Sequence, residues 1–169
     1  FDVQNRAVMD YDFCGAEAFS TRKNEEVPFA VILPKQTHSD RVVAVKSADI
    51  DASDLDGVDA LVTNVPMLGI GVKTADCVPI LLCDEVRGAV AAIHSGWRGT
   101  VGRIAQKAIA MMMREYGTNP QDLKAIVGPS IGVDNFQVGP EVVEEFRQAG
   151  FPMQRVHRND GERVADSMR

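Results

Sequence analysis

The stretch VPILLCDEVRGAVAAIHSGWRGTVGRIAQKAIAMMMREY, residues 78–116, carries the clearest information about the fold of this chain. Two apolar runs, Val78–Leu82 and Ala89–Ile93, are rich in Val, Ile, Leu and Ala and predict two strands. Thr100 is the predicted N-cap of a helix that runs to about Tyr116 and stops at Gly117. An apolar stripe at helical spacing supports this helix: Val101, Ile104, Ala105, Ala108, Ile109 and Met112.

Similar short apolar runs occupy the chain upstream of this stretch. They predict strands at Phe29–Leu33, Arg41–Lys46, Asp59–Thr63 and Leu68–Val72. Most connections are too short to hold a helix, so we expect mixed, mostly antiparallel sheets. Downstream, another buried strand is predicted at Ala125–Gly128, and a second helix from Pro140 to just before Gly150. The residues of that helix predicted to face inward are Val142, Val143 and Phe146. No repeat or linker divides the chain, which predicts one α/β domain over residues 1–169.

Composition narrows the class of function. The chain has 169 residues, 45% of them hydrophobic, and a formal net charge of −6, which argues against a nucleic-acid partner. No apolar run approaches the roughly 20 residues that span a bilayer, so no membrane association is expected. The three cysteines, Cys14, Cys77 and Cys83, do not suggest a disulfide framework, and a reduced, cytoplasmic setting fits best.

Three potential metal ligands stand where strand-like runs meet turns. They are His38 in Gln36-Thr37-His38, Cys77 in Thr74-Ala75-Asp76-Cys77-Val78-Pro79, and His94 in His94-Ser95-Gly96-Trp97-Arg98-Gly99. Two imidazoles and one thiolate form the ligand set of a zinc ion with an open fourth position. An open position points to chemistry on a bound water or substrate. The long, irregular spacing is unlike the close ligand pairs of a structural zinc finger.

Several residues of these motifs also have purely structural explanations that the sequence leaves open. A histidine at a strand end, such as His38, is often hydrogen-bonded within the fold. Cys77 lies beside an apolar run, as Cys83 does, and a buried cysteine commonly packs as a small hydrophobic residue. Trp97 could pack in the core, and Arg98 could form a surface salt bridge.

The Gly-rich turn after the second histidine leads directly into the predicted helix. Helix N-termini carry unpaired N–H groups that suit an anion. Gly96 and Gly99 let the backbone approach a ligand closely, Arg98 adds a positive charge, and Trp97 offers a stacking surface. A second Gly-rich turn, around Ser130, could supply further donors to the same pocket, although a simple structural turn explains it as well.

The motifs in combination are far more specific than any one of them. They are Gln36-Thr37-His38, Asp59-Ala60-Leu61-Val62-Thr63, Thr74-Ala75-Asp76-Cys77-Val78-Pro79-Ile80-Leu81-Leu82, His94-Ser95-Gly96-Trp97-Arg98-Gly99, Gly128-Pro129-Ser130-Ile131-Gly132 and Val138-Gly139-Pro140-Glu141-Val142. In this order they resemble the YfiH/YlmD family of polyphenol oxidoreductase or "laccase domain" proteins, which includes mammalian FAMIN. The resemblance covers roughly Val31 to Phe146.

The resemblance implies a layered α/β/β/α fold, also likened to that of cytotoxic necrotizing factor deamidases. It implies zinc ligands at His38, Cys77 and His94, and the activity of a zinc-dependent purine nucleoside phosphorylase that can also deaminate adenosine. It further implies a link of a bacterial branch to peptidoglycan editing, with a partner in cell-wall synthesis. The older laccase name implies copper and phenol oxidation.

The sequence departs from the family pattern in three places. Val133-Asp134-Asn135-Phe136 stands where family members usually carry Cys-Cys-Tyr or a similar string, which removes potential copper ligands. Phe19-Ser20-Thr21-Arg22 resembles an early family strand but reaches Gln36 too soon. The family segment that normally lies between them, near residues 22–30, is therefore missing. The third departure is the absence of a C-terminal family segment after residue 155.

Our leading hypothesis is zinc-assisted attack at a purine nucleoside. Phosphate would lie near the helix N-terminus and Arg98, and Asp76 would orient a ligand or carry protons, although a turn-capping role explains Asp76 equally well. The alternatives are a Cys77–His94 thiolate–imidazole pair for acyl transfer or deamidation, a zinc-stabilised interaction module, and, least favoured, a copper-dependent phenol oxidase.

Overall fold

The protein is described from a computed structural model that covers residues 9–13, 15–22, 27, 29–159 and 164–166. The strands are β1 (Met9–Phe13), β2 (Ala16–Ser20), β3 (Val31–Ile32), β4 (Val42–Ala44), β5 (Ala60–Thr63), β6 (Gly69–Ile70), β7 (Val78–Asp84), β8 (Ala89–Ser95), β9 (Leu123–Val127), β10 (Gln137–Val138), β11 (His157–Asn159) and β12 (Val164–Asp166). The helices are α1 (Trp97–Val101), α2 (Ile104–Tyr116), α3 (Pro140–Gln148) and α4 (Met153–Val156). Cys14 lies outside the described residues.

A five-stranded sheet with the order β4-β5-β8-β7-β9 forms the centre of the fold. β4 and β5 are parallel, and the other neighbours are antiparallel, as the short connections predicted. The β7–β8 hairpin pairs in unbroken register from Val78 opposite Ser95 to Asp84 opposite Ala89. Its turn is closed by Asp84, whose Oδ1 accepts the N–H groups of Val86 and Arg87. The prediction of a mixed α/β domain is confirmed.

Apolar side chains cover both faces of this sheet. On one face, α2 packs Ile104, Ala108 and Met112 against Leu82 and Ile93, and all five are buried. Burial of a large aliphatic side chain contributes about 1.5–3 kcal/mol, so this face dominates the core. The opposite face carries a second cluster, in which the two-stranded parallel β3–β6 sheet packs over the central one; its members are Val45, Leu55, Val58 and Leu61, with Ile32 and Ile70 at its margin. α2, the central sheet and the β3–β6 pair thus form three successive layers.

The predicted helix from Thr100 is in fact two helices. Thr100 is not an N-cap, because it lies inside α1, where its Oγ1 donates to the carbonyl of Gly96. The break falls at Gly102 and at Arg103, whose φ of 62° is left-handed. The carboxylate of Asp40 occupies the space that a side chain at residue 102 would need, so only glycine fits at this point of the break. The predicted stop at Gly117 is confirmed as a left-handed C-cap.

Of two further predictions, the one for β9 is wrong and the one for α3 is confirmed. β9 was predicted as a buried strand over Ala125–Gly128, but it is an edge strand whose Ala125 and Val127 are exposed. The α3 prediction is confirmed, with Val142, Val143 and Phe146 buried. No helix in the described part of the chain has the length and apolar character needed to cross a bilayer.

Candidate metal centre

The fold brings the three predicted ligands together. One ligand atom from each of His38, Cys77 and His94 lies within 4.8 Å of those of the other two. The imidazole rings of the two histidines meet edge to face, with centroids 4.9 Å apart. His94 is buried, Cys77 is half-buried and His38 is exposed, so this trio opens to solvent on the His38 side. Among the described residues, no other group of three or more His, Cys, Asp or Glu side chains has this geometry.

The β7–β8 hairpin explains why Cys77 and His94 meet. His94 pairs with Pro79 in the sheet, and Cys77 lies immediately before β7. Both side chains are therefore at the same end of the hairpin, opposite to the Asp84 turn. The sheet fixes this end, because the N–H of His94 also donates to the carbonyl of Asp59, at 2.8 Å.

Asp59 is the principal site residue that the sequence reasoning missed. It is fully buried at the start of β5, and its Oδ1 lies 2.6 Å from Nδ1 of His94. The same carboxylate accepts the N–H groups of three consecutive residues: Thr37 and Ser39 donate to Oδ2 and His38 donates to Oδ1. In the sequence, Asp59 stands only as the first residue of a strand motif, and the available signal was an acidic residue directly before an apolar run.

The His38 loop is held by two separate sets of hydrogen bonds. His38 has a left-handed φ of 61°, which a non-glycine residue adopts only where its surroundings impose it. The Asp59 carboxylate provides one constraint. The other is Gln36, whose side-chain amide donates to the carbonyl of Lys73 and accepts the N–H of Lys73, at 2.8 and 2.7 Å. This pair ties the loop to the segment that leads into Cys77.

The surroundings of the trio shift the pKa values of Cys77 and Asp59 in opposite directions. Burial raises the pKa of the Cys77 thiol, and the negative charges of Asp76 and Asp59 add to the effect. Burial also acts to raise the pKa of Asp59, but the hydrogen bonds with His94 and with Ser39 and Thr37 outweigh it and hold that pKa below its ordinary value. Asp59 is thus a carboxylate at neutral pH, while a cation is needed to draw the proton from Cys77.

Gly96 lies directly against all three residues of the trio and forms the floor of the site. It is the N-cap of α1 and has an ordinary extended backbone. A Cβ at this position would lie 3.1 Å from Cδ2 of His38, 3.2 Å from Sγ of Cys77 and 3.8 Å from Cε1 of His94. Only a glycine leaves the three ligands in their observed places without displacement.

The remaining residues of this turn follow Gly96 along the chain. The guanidinium of Arg98 lies over the Trp97 ring, 4.2 Å from its centroid, and Arg98 is exposed while Trp97 is half-buried. Gly99 is buried, and a Cβ there would lie 3.1 Å from the carbonyl oxygen of Ser39. Gly99 thus allows α1 to pack closely on the His38 loop. The helix that begins at this turn is short, since α1 has five residues.

The second Gly-rich turn joins the same end of the sheet. The N–H of Ile131 donates to the carbonyl of Asp76, and that of Gly128 donates to the carbonyl of Pro79, both at 2.9 Å. Ser130 and Asp76 are exposed on this side. The carboxylate of Asp76 is not one of the clustered ligand atoms; it acts on Cys77 through its charge.

The chain matches proteins whose names describe purine nucleoside chemistry. It is 40% identical over 158 residues to a purine nucleoside phosphorylase of Bacteroides thetaiotaomicron, an alignment of 85% of this chain and 58% of that protein. It is 50% identical over 127 residues to adenosine deaminase RL5 of an unknown prokaryotic organism, covering 72% of this chain and 48% of that protein. The chain therefore spans about half the length of these relatives.

Solved structures share the fold of this chain. The hypothetical protein YfiH of Bacillus licheniformis superimposes with a TM-score of 0.74 at 32% identity, over 81% of this chain and 54% of that one. YlmD of Geobacillus stearothermophilus superimposes with a TM-score of 0.73 at 28% identity over the same shares. The family described as multi-copper polyphenol oxidoreductase laccase matches residues 16–168. With nearly the whole sequence matched, this chain belongs to that laccase-like YfiH family.

Proposed function

We propose that this chain forms the metal-bearing part of a zinc-dependent purine nucleoside phosphorylase that also deaminates adenosine. The observation that carries the proposal is the convergence of His38, Cys77 and His94 within 4.8 Å. The names of the two relatives, one a phosphorylase and one a deaminase, support the substrate class.

The donor set suits zinc. Two imidazole nitrogens and one thiolate are three of the four ligands of a tetrahedral zinc and leave one position for water or substrate. The same donors bind copper, but a single His₂Cys copper serves electron transfer. A multicopper oxidase needs further copper ions, and the described residues offer no second group of three donors. When bound, zinc supplies a Lewis acid that lowers the pKa of a bound water and polarises a substrate oxygen.

The protein groups divide the remaining work. The buried side of the trio is closed by the sheet behind His94, so the substrate approaches from the exposed His38 side. Arg98 is exposed on the turn that follows the trio, and we assign it the binding of phosphate. Because α1 is only five residues long, the charge of Arg98 carries this role rather than the helix dipole. The wall of the proposed substrate pocket is formed by Trp97, Gly96, Gly99 and the Ser130 turn.

Asp76 is the candidate proton carrier. Its carboxylate is exposed and acts on Cys77 through its charge, and its carbonyl accepts the N–H of Ile131. A carboxylate held beside the metal can take a proton from the attacking group or return one to the leaving base. In phosphorolysis the bond broken is the one between ribose and base, and in deamination the departing group is ammonia.

The test is product analysis with the zinc-loaded protein. Inosine with phosphate should release hypoxanthine and ribose 1-phosphate, and adenosine without phosphate should release ammonia. Arg98→Gln should raise the KM for phosphate with little change in the KM for nucleoside. Arg87→Gln, at an exposed site on the β7–β8 turn, is the matched control and should change neither. If fully zinc-loaded protein releases neither free base nor ammonia, the proposal is wrong.

A Cys–His hydrolase is the second candidate, because Cys77, His94 and Asp59 lie in the order of a nucleophile, a base and an orienting carboxylate. The raised pKa of Cys77 opposes it, since a nucleophilic thiolate needs a lowered one. Alkylation of Cys77 by iodoacetamide separates the two candidates. Protection by zinc but not by amide substrates supports the metal site, and the reverse supports the hydrolase.

A further inference from the structure

We propose that Asp59 is the positioning residue of this site: one buried carboxylate fixes both histidines of the trio in the arrangement that receives the metal ion. The inference rests on the metal site of the proposed function but not on the identity of the reaction. It assigns a role to a residue that is itself too deeply placed to touch the substrate.

The contact with His94 fixes the orientation of that ring. Nδ1 of His94 lies 2.6 Å from Oδ1 of Asp59, and both side chains are buried. A carboxylate acceptor at this distance keeps the proton on Nδ1, so Nε2 is left with its lone pair for a metal ion. The ring cannot turn over without breaking this hydrogen bond inside the protein, where no solvent replaces it.

The contacts with the His38 loop fix the second histidine. The N–H groups of Thr37, His38 and Ser39 all point at the Asp59 carboxylate, at 3.1, 3.1 and 2.8 Å. Three consecutive donors on one acceptor group wrap the backbone around it. This wrapping holds His38 in its left-handed conformation and turns its imidazole towards the trio.

The position of Asp59 itself is set by the sheet. Its N–H donates to the carbonyl of Arg41 at 3.0 Å, and its carbonyl accepts the N–H of His94 at 2.8 Å. Its side chain therefore has little freedom to follow a displaced ligand. Asparagine cannot replace it, because the four donors need two acceptor oxygens and the amide nitrogen of asparagine would face N–H groups instead.

The experiment compares zinc affinity and the cobalt spectrum of three proteins. Asp59→Asn should bind zinc 10- to 100-fold more weakly than the wild-type chain in competition with a chromophoric chelator. Its cobalt-substituted form should show altered d–d bands, because one imidazole is misplaced. Asp84→Asn is the matched control: Asp84 is also fully buried in the same sheet and also accepts backbone N–H groups, but at the opposite end of β7. It should bind zinc within about threefold of wild type.

The outcomes separate this inference from the proposed function. Zinc binding by the wild-type chain, with Asp59→Asn within threefold of it and an unchanged cobalt spectrum, overturns the role of Asp59 alone. Absence of zinc binding by the wild-type chain overturns the metal site and this inference with it.

A measurement on the wild-type protein covers the case in which Asp59→Asn does not fold. Nitrogen-15 NMR, with His94→Gln used for assignment, should place the proton of His94 on Nδ1 in the metal-free protein. With cadmium-113 in place of zinc, the coupled nitrogen should be Nε2. A proton on Nε2, or coupling through Nδ1, overturns the inference.

Discussion

Replacement of Gly96 by alanine tests the geometry of the trio most directly. The new Cβ would lie 3.1 Å from Cδ2 of His38 and 3.2 Å from Sγ of Cys77. Non-bonded carbon atoms prefer about 3.5–4.0 Å, and sulfur is larger than carbon, so both contacts are short by roughly 0.3 Å or more. The backbone at Gly96, with φ −71° and ψ 173°, accepts alanine without strain. The conflict is therefore confined to the ligand side chains.

The size of the effect follows from which groups can move. Overpacking of a fixed core costs about 1–3 kcal/mol. In the metal-free protein the exposed His38 ring can swing outward and relieve most of this, and alanine also restricts the unfolded chain, which is worth about 0.4–1 kcal/mol. Zinc binding requires both ligand side chains to return to their observed positions, so the free-energy cost of the steric clash lowers the zinc affinity. A penalty of about 1–3 kcal/mol corresponds to a roughly 5- to 150-fold loss of zinc affinity.

Two measurements check this prediction. Zinc affinity is obtained by competition with a chromophoric chelator, and the free energy of unfolding of the metal-free protein is obtained by urea denaturation in EDTA. Gly132→Ala is the control, because a Cβ there meets no atom within 4 Å. If Gly96→Ala binds zinc within twofold of wild type, the reasoning about the floor of the trio is refuted. A loss of stability without loss of affinity would refute it equally.

Four further substitutions test the site, the core and one ion pair. Cys77→Ala should abolish zinc binding yet leave the metal-free melting temperature nearly unchanged, whereas Cys83→Ala, at a position only 2% exposed, should lower the melting temperature and leave zinc affinity intact. Met112→Ala, which empties a fully buried position between α2 and the sheet, should cost about 2–5 kcal/mol in urea denaturation, and a loss under 1 kcal/mol would contradict the packing described. Hydrogen bonding to Lys46 and a neighbouring arginine lowers the pKa of Glu115 below 4.5, so the stability gained from this carboxylate is present at neutral pH and is lost as pH falls through that lowered value. The difference in melting temperature between wild type and Glu115→Gln should therefore vanish in acid, and a difference that grows in acid would contradict the assignment.

The ligand trio was predictable from sequence because the chemistry of each residue is local. Cys77 and His94 stand at the ends of apolar runs joined by a short connection, which favours the antiparallel pairing that the structure shows. Sequence could place His38 only through the motif order, since its loop joins the site through hydrogen bonds to one distant residue, Asp59, which is 20 to 22 positions away. Asp59 escaped notice for the same reason, because its partners are distant backbone donors, which leave no pattern in the chain.

The errors in the fold prediction also have long-range causes. The helix stripe from Val101 to Met112 is continuous in sequence, yet the chain breaks at Gly102 and Arg103, where Asp40, some 60 residues earlier, lies against Gly102. β9 looked buried because of its apolar composition, but its place at the edge of the sheet is decided by strand order. Periodicity predicts which residues share a face, whereas strand order and tertiary contacts decide how much of that face is covered.

The three residues of the trio are positioned by three different kinds of protein contact, and this bears on the role of the proposed metal ion. His94 is fixed by the sheet and by Asp59, His38 by the wrapped loop and the Gln36–Lys73 pair, and Cys77 by its place before β7. All of these contacts join protein groups to one another. In a zinc finger the ion supplies most of the folding free energy because few such contacts exist. Here the hydrophobic clusters on the two faces of the sheet contain none of the three residues of the trio, so the core does not depend on the ion. Removal of the metal should therefore abolish activity and leave the fold in place, which is the behaviour of a catalytic rather than a structural ion.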